Sequence, residues 1–151
     1  MIRPTRLIAL LLATAAVLGI AACTSSDDTA EGGSTGTSEP NSTIDTQLTD
    51  AFLIDIASAT ANEGEIAFEV SNAGQLLHEF LVIRTDLAED ALPIDGVQVD
   101  ESQLNVVAST IELPPRQSQL LLTDLEAGNY VLICNIPGHY NAGMHRTFTV
   151  K

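Results

Sequence analysis

The chain has 151 residues, a formal net charge of −14 and 45% hydrophobic residues, which suits one folded domain. Six basic residues against twenty acidic ones cannot form a basic patch, which argues against nucleic acid and against electrostatic docking on anionic lipid. Two cysteines allow at most one disulfide, so this is no disulfide-stapled miniprotein.

The first residues are typical of an export signal. Arg3 and Arg6 precede a short apolar run over residues 7–22, as in secretory signal peptides, and the run is short for a membrane span of about 20 apolar residues. It ends in Ile20-Ala21-Ala22-Cys23, which resembles a bacterial lipobox. An ordinary signal with an incidental cysteine and an uncleaved anchor are the alternatives. The long polar stretch after Cys23 favours the lipobox, so we predict a signal peptide over 1–22 and lipid on Cys23.

Residues 23–46 read as a tether. They consist mostly of Ser, Thr, Gly, Asp and Glu, and such a composition cannot offset the entropy of ordering. We therefore predict a flexible linker over 23–46, followed by one folded domain over 47–151.

The folded part has the pattern of short strands. Period-two alternation of apolar and polar residues between turn signals predicts an all-β sandwich or barrel. The predicted strands lie at 52–56, 66–70, 76–83, 106–111, 120–122, 130–133 and 148–150.

The strand at 130–133 is apolar on both faces, so a second layer must cover it. The irregular stretch 86–104 is the candidate cover, with a short helix predicted at 87–92. Tyr130 follows Leu125 at the spacing of a tyrosine corner, a feature of Greek-key sandwiches; an ordinary core or surface tyrosine is the alternative.

The chemistry is concentrated in one loop. Cys134, His139 and Met144 are spaced Cys-x4-His-x4-Met, and His78 lies on a predicted strand upstream. Two imidazoles, a thiolate and a weak axial thioether are the donors of a type 1 copper site. Taken singly, each residue has a plainer explanation as a buried thiol, a turn or core histidine, or a core methionine. Taken jointly, their order favours copper.

On these residues the chain resembles the cupredoxins, blue copper proteins such as plastocyanin, azurin and auracyanin. The resemblance extends over 47–151 and is tightest at 128–144 and 77–80. It implies a Greek-key β-sandwich of about seven to eight strands with one type 1 copper ion. His78, Cys134 and His139 would be the strong ligands and Met144 the axial one. Glu79 departs from the asparagine that plastocyanin and azurin have after the first histidine.

Strand alternation places neighbouring side chains on opposite faces, so we expect His145 and Glu79 to point away from the metal. The chain has no second cysteine for a binuclear centre in this loop and no His-x-His pairs of a multicopper oxidase. Zinc is disfavoured because methionine is a poor zinc ligand. No catalytic base stands out, so we predict no enzyme activity.

We therefore predict a monomeric, extracytoplasmic protein that carries single electrons and is bound to the membrane only through lipid on Cys23. The acidic surface suits a basic docking face, such as that of a cytochrome or an oxidase. His139 would reach the surface among Ile136, Pro137, Tyr140 and Ala142. Copper storage or delivery at the same ligands is the main alternative, and a sensor or adhesion module with a structural copper is a second one.

Overall fold

A computed structural model describes residues 39–151 of the chain. Two 3-10 helices span Glu101–Gln103 and Tyr140–Ala142. The strands, in chain order, are β1 (Ser42–Thr49), β2 (Leu53–Ile56), β3 (Thr60–Ala61), β4 (Gly64–Asn72), β5 (Leu81–Arg84), β6 (Ile94–Asp95), β7 (Gln98–Val99), β8 (Asn105–Ser109), β9 (Ser118–Leu125), β10 (Gly128–Ile133) and β11 (His145–Val150).

Two mixed sheets form the body of this part of the chain. The first has the strand order β2-β1-β4-β9 and the second β3-β11-β10-β5-β8, while β6 and β7 form a separate hairpin. Strands β1 and β4 run parallel, as do β3 and β11, and the other neighbours are antiparallel. Eight strands have four or more residues, which agrees with the predicted seven to eight.

The main core lies between the two sheets. Strand β1 alternates in the manner of a half-buried strand, with Ile44 and Leu48 buried and Asp45 and Gln47 exposed. Buried side chains of both sheets join one cluster, which also contains Cys134 and Met144. Two of the predicted ligands, Cys134 after β10 and Met144 before β11, are therefore buried in the core of the sandwich.

The second face of β10 is covered by the irregular stretch, as predicted. Val131 and Ile133 pack with Leu92, Val99 and partly buried Leu104 in a separate cluster. The predicted helix at 87–92 is wrong: these residues form bends and turns, and the stretch continues into the β6–β7 hairpin and a 3-10 helix. The apolar positions were enough to predict the cover but not its backbone conformation.

The largest differences from the predicted boundaries are at the starts of β1 and β5. Strand β1 starts at Ser42, so the predicted linker over 23–46 extends too far: its last five residues pair with β4. The predicted strand at 76–83 is also too long, because β5 starts at Leu81 and Leu76 and Leu77 are exposed. The polar composition of residues 42–46 hid a strand, and the apolar residues at 76–77 suggested one that does not form. In both places pairing with a distant strand determines where the strand begins.

The tyrosine corner is present. The Tyr130 hydroxyl donates a hydrogen bond of 2.8 Å to the Glu126 carbonyl across the turn between β9 and β10. Arg84 closes the same corner through the Glu126 carboxylate and the Ala127 carbonyl. These bonds start β10 in a defined position, and Cys134 follows directly at the end of that strand.

Among residues 39–151, no helix is long and apolar enough to cross a membrane. The predicted signal peptide, the lipid-bearing Cys23 and most of the predicted linker lie outside the described residues.

Candidate metal centre

The centre lies between two segments. One is the loop from Cys134 to Met144, between β10 and β11, which we call the ligand loop; the other is the segment with His78 that leads into β5. His78 is fully buried and is held by a two-way backbone bridge with Leu113: its N–H donates over 3.2 Å and its carbonyl accepts over 2.6 Å. Cys134 is also fully buried. Two segments 56 residues apart are thereby brought side by side.

The ligand loop folds back tightly on itself. His139 N–H donates to the Ile136 carbonyl, and Met144 N–H donates to the His139 carbonyl over 3.1 Å. Gly143 ends the short helix after His139 with φ of 101°, a left-handed conformation that favours glycine. The Cys-x4-His-x4-Met spacing therefore spans a single loop that backbone hydrogen bonds close.

The three nitrogen and sulfur donors converge. The Cys134 Sγ lies 3.4 Å from His139 Nδ1 and 3.8 Å from His78 Nδ1. All three donor atoms lie within 4.8 Å of one another, and the two imidazole rings are 4.9 Å apart at 57°. The structure thus brings His78, Cys134 and His139 together with both Nδ1 atoms towards the sulfur.

Met144 is anchored beside the same residues. Its carbonyl accepts the Cys134 N–H over 3.1 Å, and its side chain is fully buried in the core cluster that contains Cys134. Met144 is therefore joined to Cys134 by a direct backbone hydrogen bond.

Two residues of the ligand loop that are not metal donors attach this loop to the stretch 86–104. The Asn135 side chain bonds both the N–H and the carbonyl of Val99, at 2.7 and 3.1 Å. The Tyr140 hydroxyl accepts the Leu92 N–H and donates to the Glu89 carbonyl. Tyr140 is therefore buried rather than part of a surface patch, which corrects the sequence prediction.

His145 lies on the cover side, as the strand alternation predicts. Its Nδ1 is 3.6 Å from the Glu89 carboxylate, and its ring is 5.2 Å from that of Tyr140. Glu79 contributes its backbone: its N–H donates to Cys134 Sγ over 3.4 Å. This backbone hydrogen bond ties the segment that carries His78 to the loop that begins at Cys134.

Burial controls the protonation of the donors. It raises the pKa of the Cys134 thiol to about 11, despite opposing hydrogen bonds from the Glu79 and Ile136 N–H groups. Burial and then the neighbouring His78 lower the pKa of His139, which favours the neutral imidazole that metals bind. The raised pKa keeps the Cys134 thiol protonated in the metal-free site, so a metal that binds there must displace that proton.

Two contacts were missed by the sequence analysis. Asp50 Oδ1 lies 3.3 Å from His78 Nε2, and the Phe52 ring packs edge-on against His139 at 5.0 Å. Both residues belong to the turn between β1 and β2. An aspartate in a turn is so common that nothing in the sequence distinguished Asp50.

Comparison with solved structures identifies the fold. The dithionite-reduced auracyanin of the photosynthetic bacterium Roseiflexus castenholzii matches with a TM-score of 0.56 and 22% identity, over 74% of this chain and 97% of that one. The chain has the cupredoxin fold. An auracyanin B structure matches with a TM-score of 0.54 and 19% identity, over 76% and 91% of the two chains. The predicted Greek-key cupredoxin-like sandwich is confirmed.

No family model matches this chain. The copper-resistant cuproprotein CopI of Rubrivivax gelatinosus is 26% identical over 108 residues, or 68% of this chain. The chain spans 62% of the length of that relative.

The donor set fits one copper ion. A thiolate and a thioether are soft ligands that suit Cu(I), and imidazole suits copper in either oxidation state. The donors are buried and preassembled, with two nitrogens and one sulfur within mutual reach.

Proposed function

We propose that this protein is a type 1 copper protein that shuttles single electrons between extracytoplasmic redox partners, and that it is not an enzyme. His78, Cys134 and His139 would be the strong ligands and Met144 the weak axial one. A copper ion held by these residues would supply the one-electron Cu(I)/Cu(II) chemistry.

The observation that carries the proposal is the buried, convergent donor cluster. Both Nδ1 atoms face the Cys134 sulfur at 3.4 and 3.8 Å. Bridges from Leu113, Glu79 and Met144 hold the donors from the backbone side. Ligands that move little between oxidation states keep the reorganisation energy of electron transfer small, and a closed site retains its copper.

The exit for the electron would be the His139 edge. His139 is 9% exposed, against 0% for His78 and Cys134, so it is the strong ligand nearest to solvent. Its own loop also presents exposed Pro137 and Ala142 and partly buried Ile136. A small apolar surface around a ligand edge suits the brief encounters of redox partners.

We further propose that lipid on Cys23 tethers the domain to the outside of the cell membrane and that the domain works as a monomer. Loss of Arg3 and Arg6 with the signal peptide would take the net charge from −14 to −16. Such a surface favours a basic partner, such as a cytochrome or an oxidase docking face, through electrostatic steering. The rate of electron transfer to a basic cytochrome should fall steeply with added salt, and a salt-independent rate would contradict the steering.

A second function is favoured by the likeness to CopI, which is described as a copper-resistant cuproprotein. In that case the same residues would bind copper in order to store it or to deliver it. Storage and delivery require copper exchange with a partner, whereas a shuttle requires electron exchange with the copper retained.

One pair of measurements separates these functions. NMR line broadening in mixtures of the oxidised and reduced protein gives the electron self-exchange rate, and a strong Cu(I) chelator gives the rate of copper loss. We expect rapid self-exchange and slow copper loss. Slow self-exchange combined with rapid copper loss would favour copper handling.

The anchor is tested separately by mass spectrometry of the intact protein from membranes. We expect acyl chains on Cys23 and none in Cys23→Ser. A wild-type protein without an acyl mass increment would contradict lipidation and leave the copper site unaffected.

A further inference from the structure

The turn between β1 and β2 contacts both imidazoles of the copper site. Asp50 Oδ1 lies 3.3 Å from His78 Nε2, and Phe52 packs against His139 with ring planes at 71°. Asp50 precedes His78 by 28 residues, and the turn contributes no predicted metal ligand. The turn therefore acts on the ligands from outside the donor set.

The turn itself is held in a strained conformation. Phe52 has φ of 58°, a left-handed conformation that is unfavourable for a non-glycine residue and persists only where surrounding contacts impose it. Its N–H donates to the Thr49 carbonyl over 3.0 Å. This backbone directs Phe52 against His139, while Asp50 two residues earlier contacts His78.

The Asp50 carboxylate is fixed by the loop that leads to His78. Its Oδ2 accepts the Gln75 N–H over 2.7 Å, and its Oδ1 accepts the Leu76 N–H over 3.1 Å. These two backbone bonds hold the carboxylate beside His78 even though its side chain is 39% exposed.

Gly74 leaves the space that this carboxylate occupies. A Cβ at Gly74 would overlap the Asp50 carboxylate, so even alanine would displace it. No positive φ requires a glycine there. The close approach of Asp50 accounts for the glycine in this loop.

We propose that Asp50 is a positioning residue for the copper site: its carboxylate accepts the His78 Nε2–H, which leaves the Nδ1 lone pair directed at the metal beside Cys134. This inference rests on the proposed copper function. A carboxylate on the far nitrogen of a ligating histidine fixes its tautomer and ring orientation and raises its basicity. A more basic His78 favours Cu(II) over Cu(I), so Asp50 lowers the reduction potential.

The decisive variant is Asp50→Asn, with Asp55→Asn as its matched control. Asp55 is an exposed aspartate of the same hairpin, and among residues 39–151 no hydrogen bond joins its side chain to a metal ligand. Asparagine offers one acceptor oxygen where Asp50 serves three N–H donors, so the bond to His78 weakens. Such outer carboxylates typically contribute 10–100-fold in metal affinity.

The first measurement is the reduction potential of the copper-loaded full chain. We expect Asp50→Asn to lower Cu(II) affinity about tenfold relative to Cu(I), which raises the potential by about 59 mV for one electron. Asp55→Asn should remain near the wild type. Equal shifts in the two variants would mean that charge alone acts, and would overturn the positioning role.

The second measurement needs no copper. Nitrogen NMR of the apo-protein should show His78 protonated at Nε2 in the wild type and a mixture of tautomers in Asp50→Asn. Gly74→Ala, which keeps the charge but displaces the carboxylate, should produce the same mixture and decides the matter if Asp50→Asn fails to fold. Wild-type tautomers in both variants would overturn the inference. A wild type that binds no copper would instead refute the proposed function.

Discussion

The two faces of strand β10 are both buried, but they are buried by different kinds of structure. Its inner face, with Tyr130, Leu132 and then Cys134, packs in the core between the two sheets. Its outer face, with Val131 and Ile133, packs under the irregular stretch 86–104. The inner face supplies a metal donor and the outer face supplies none.

The cover is held by specific polar contacts and by few apolar ones. Asn135 and Tyr140 of the ligand loop bond to backbone groups of Leu92, Val99 and Glu89. The inner core, by contrast, is formed by side chains that interdigitate between sheets. The difference indicates a division of labour: the sandwich core places the donors, and the cover holds the loop that carries them.

The largest expected effect comes from removing the inner-face donor. Cys134→Ala should abolish the intense visible absorption of the oxidised, copper-loaded protein, because that absorption requires sulfur-to-copper charge transfer. His145→Ala is the matched control, since His145 lies on the cover side beside Glu89 and Tyr140. It should leave the spectrum nearly unchanged. A colourless wild type after Cu(II) loading and mild oxidation would contradict the site.

The next effect compares the packing of the two faces. Leu132, 0% exposed in the inner core, and Leu92, 4% exposed in the cover, can each be replaced by alanine. Leu→Ala costs about 2–5 kcal/mol, less where the surroundings can collapse into the space. We expect Leu132→Ala near the upper end and Leu92→Ala near the lower end in urea unfolding of the apo-protein. Equal losses would mean that the cover is packed as rigidly as the sandwich.

A smaller effect tests the polar contacts of the cover. Tyr140→Phe leaves the Leu92 N–H and the Glu89 carbonyl without their hydroxyl partner, which should cost about 1–3 kcal/mol. Hydrogen exchange should rise across residues 86–104. Tyr130→Phe, which removes the hydroxyl of the tyrosine corner, is the control and should leave exchange in 86–104 unchanged. Equal exchange in the two variants would show that Tyr140 does not hold the cover.

The smallest expected effect alters the site while copper stays bound. Met144→Gln replaces a thioether by a harder amide oxygen, which favours Cu(II), so the potential should fall. Met144→Leu removes axial donation to Cu(II), so the potential should rise. Protein-film voltammetry of both variants gives the order. An inverted order or unchanged potentials would make Met144 a core residue without an axial role.

The amino-acid sequence alone was sufficient for the fold class and for the grouping of the donors. Period-two alternation is kept in strands such as β2, because one face of a half-buried strand must be apolar to pack in the core. The spacing of Cys134, His139 and Met144 is local, so a single loop brings these residues together. The two-sided apolar character of residues 130–133 was likewise enough to predict that 86–104 covers them.

Tertiary structure decided the features that depend on distant pairing. Strand β1 is too polar to stand out as a strand, and it forms because β2 and β4 offer partners on both sides. The predicted helix at 87–92 does not form, because the Tyr140 hydroxyl bonds the backbone of Leu92 and Glu89 in another conformation. Asp50 reaches His78 only because β1 brings its turn beside the loop after β4. Local pattern determines which face of a strand is buried, but contacts between distant segments determine which polar groups meet.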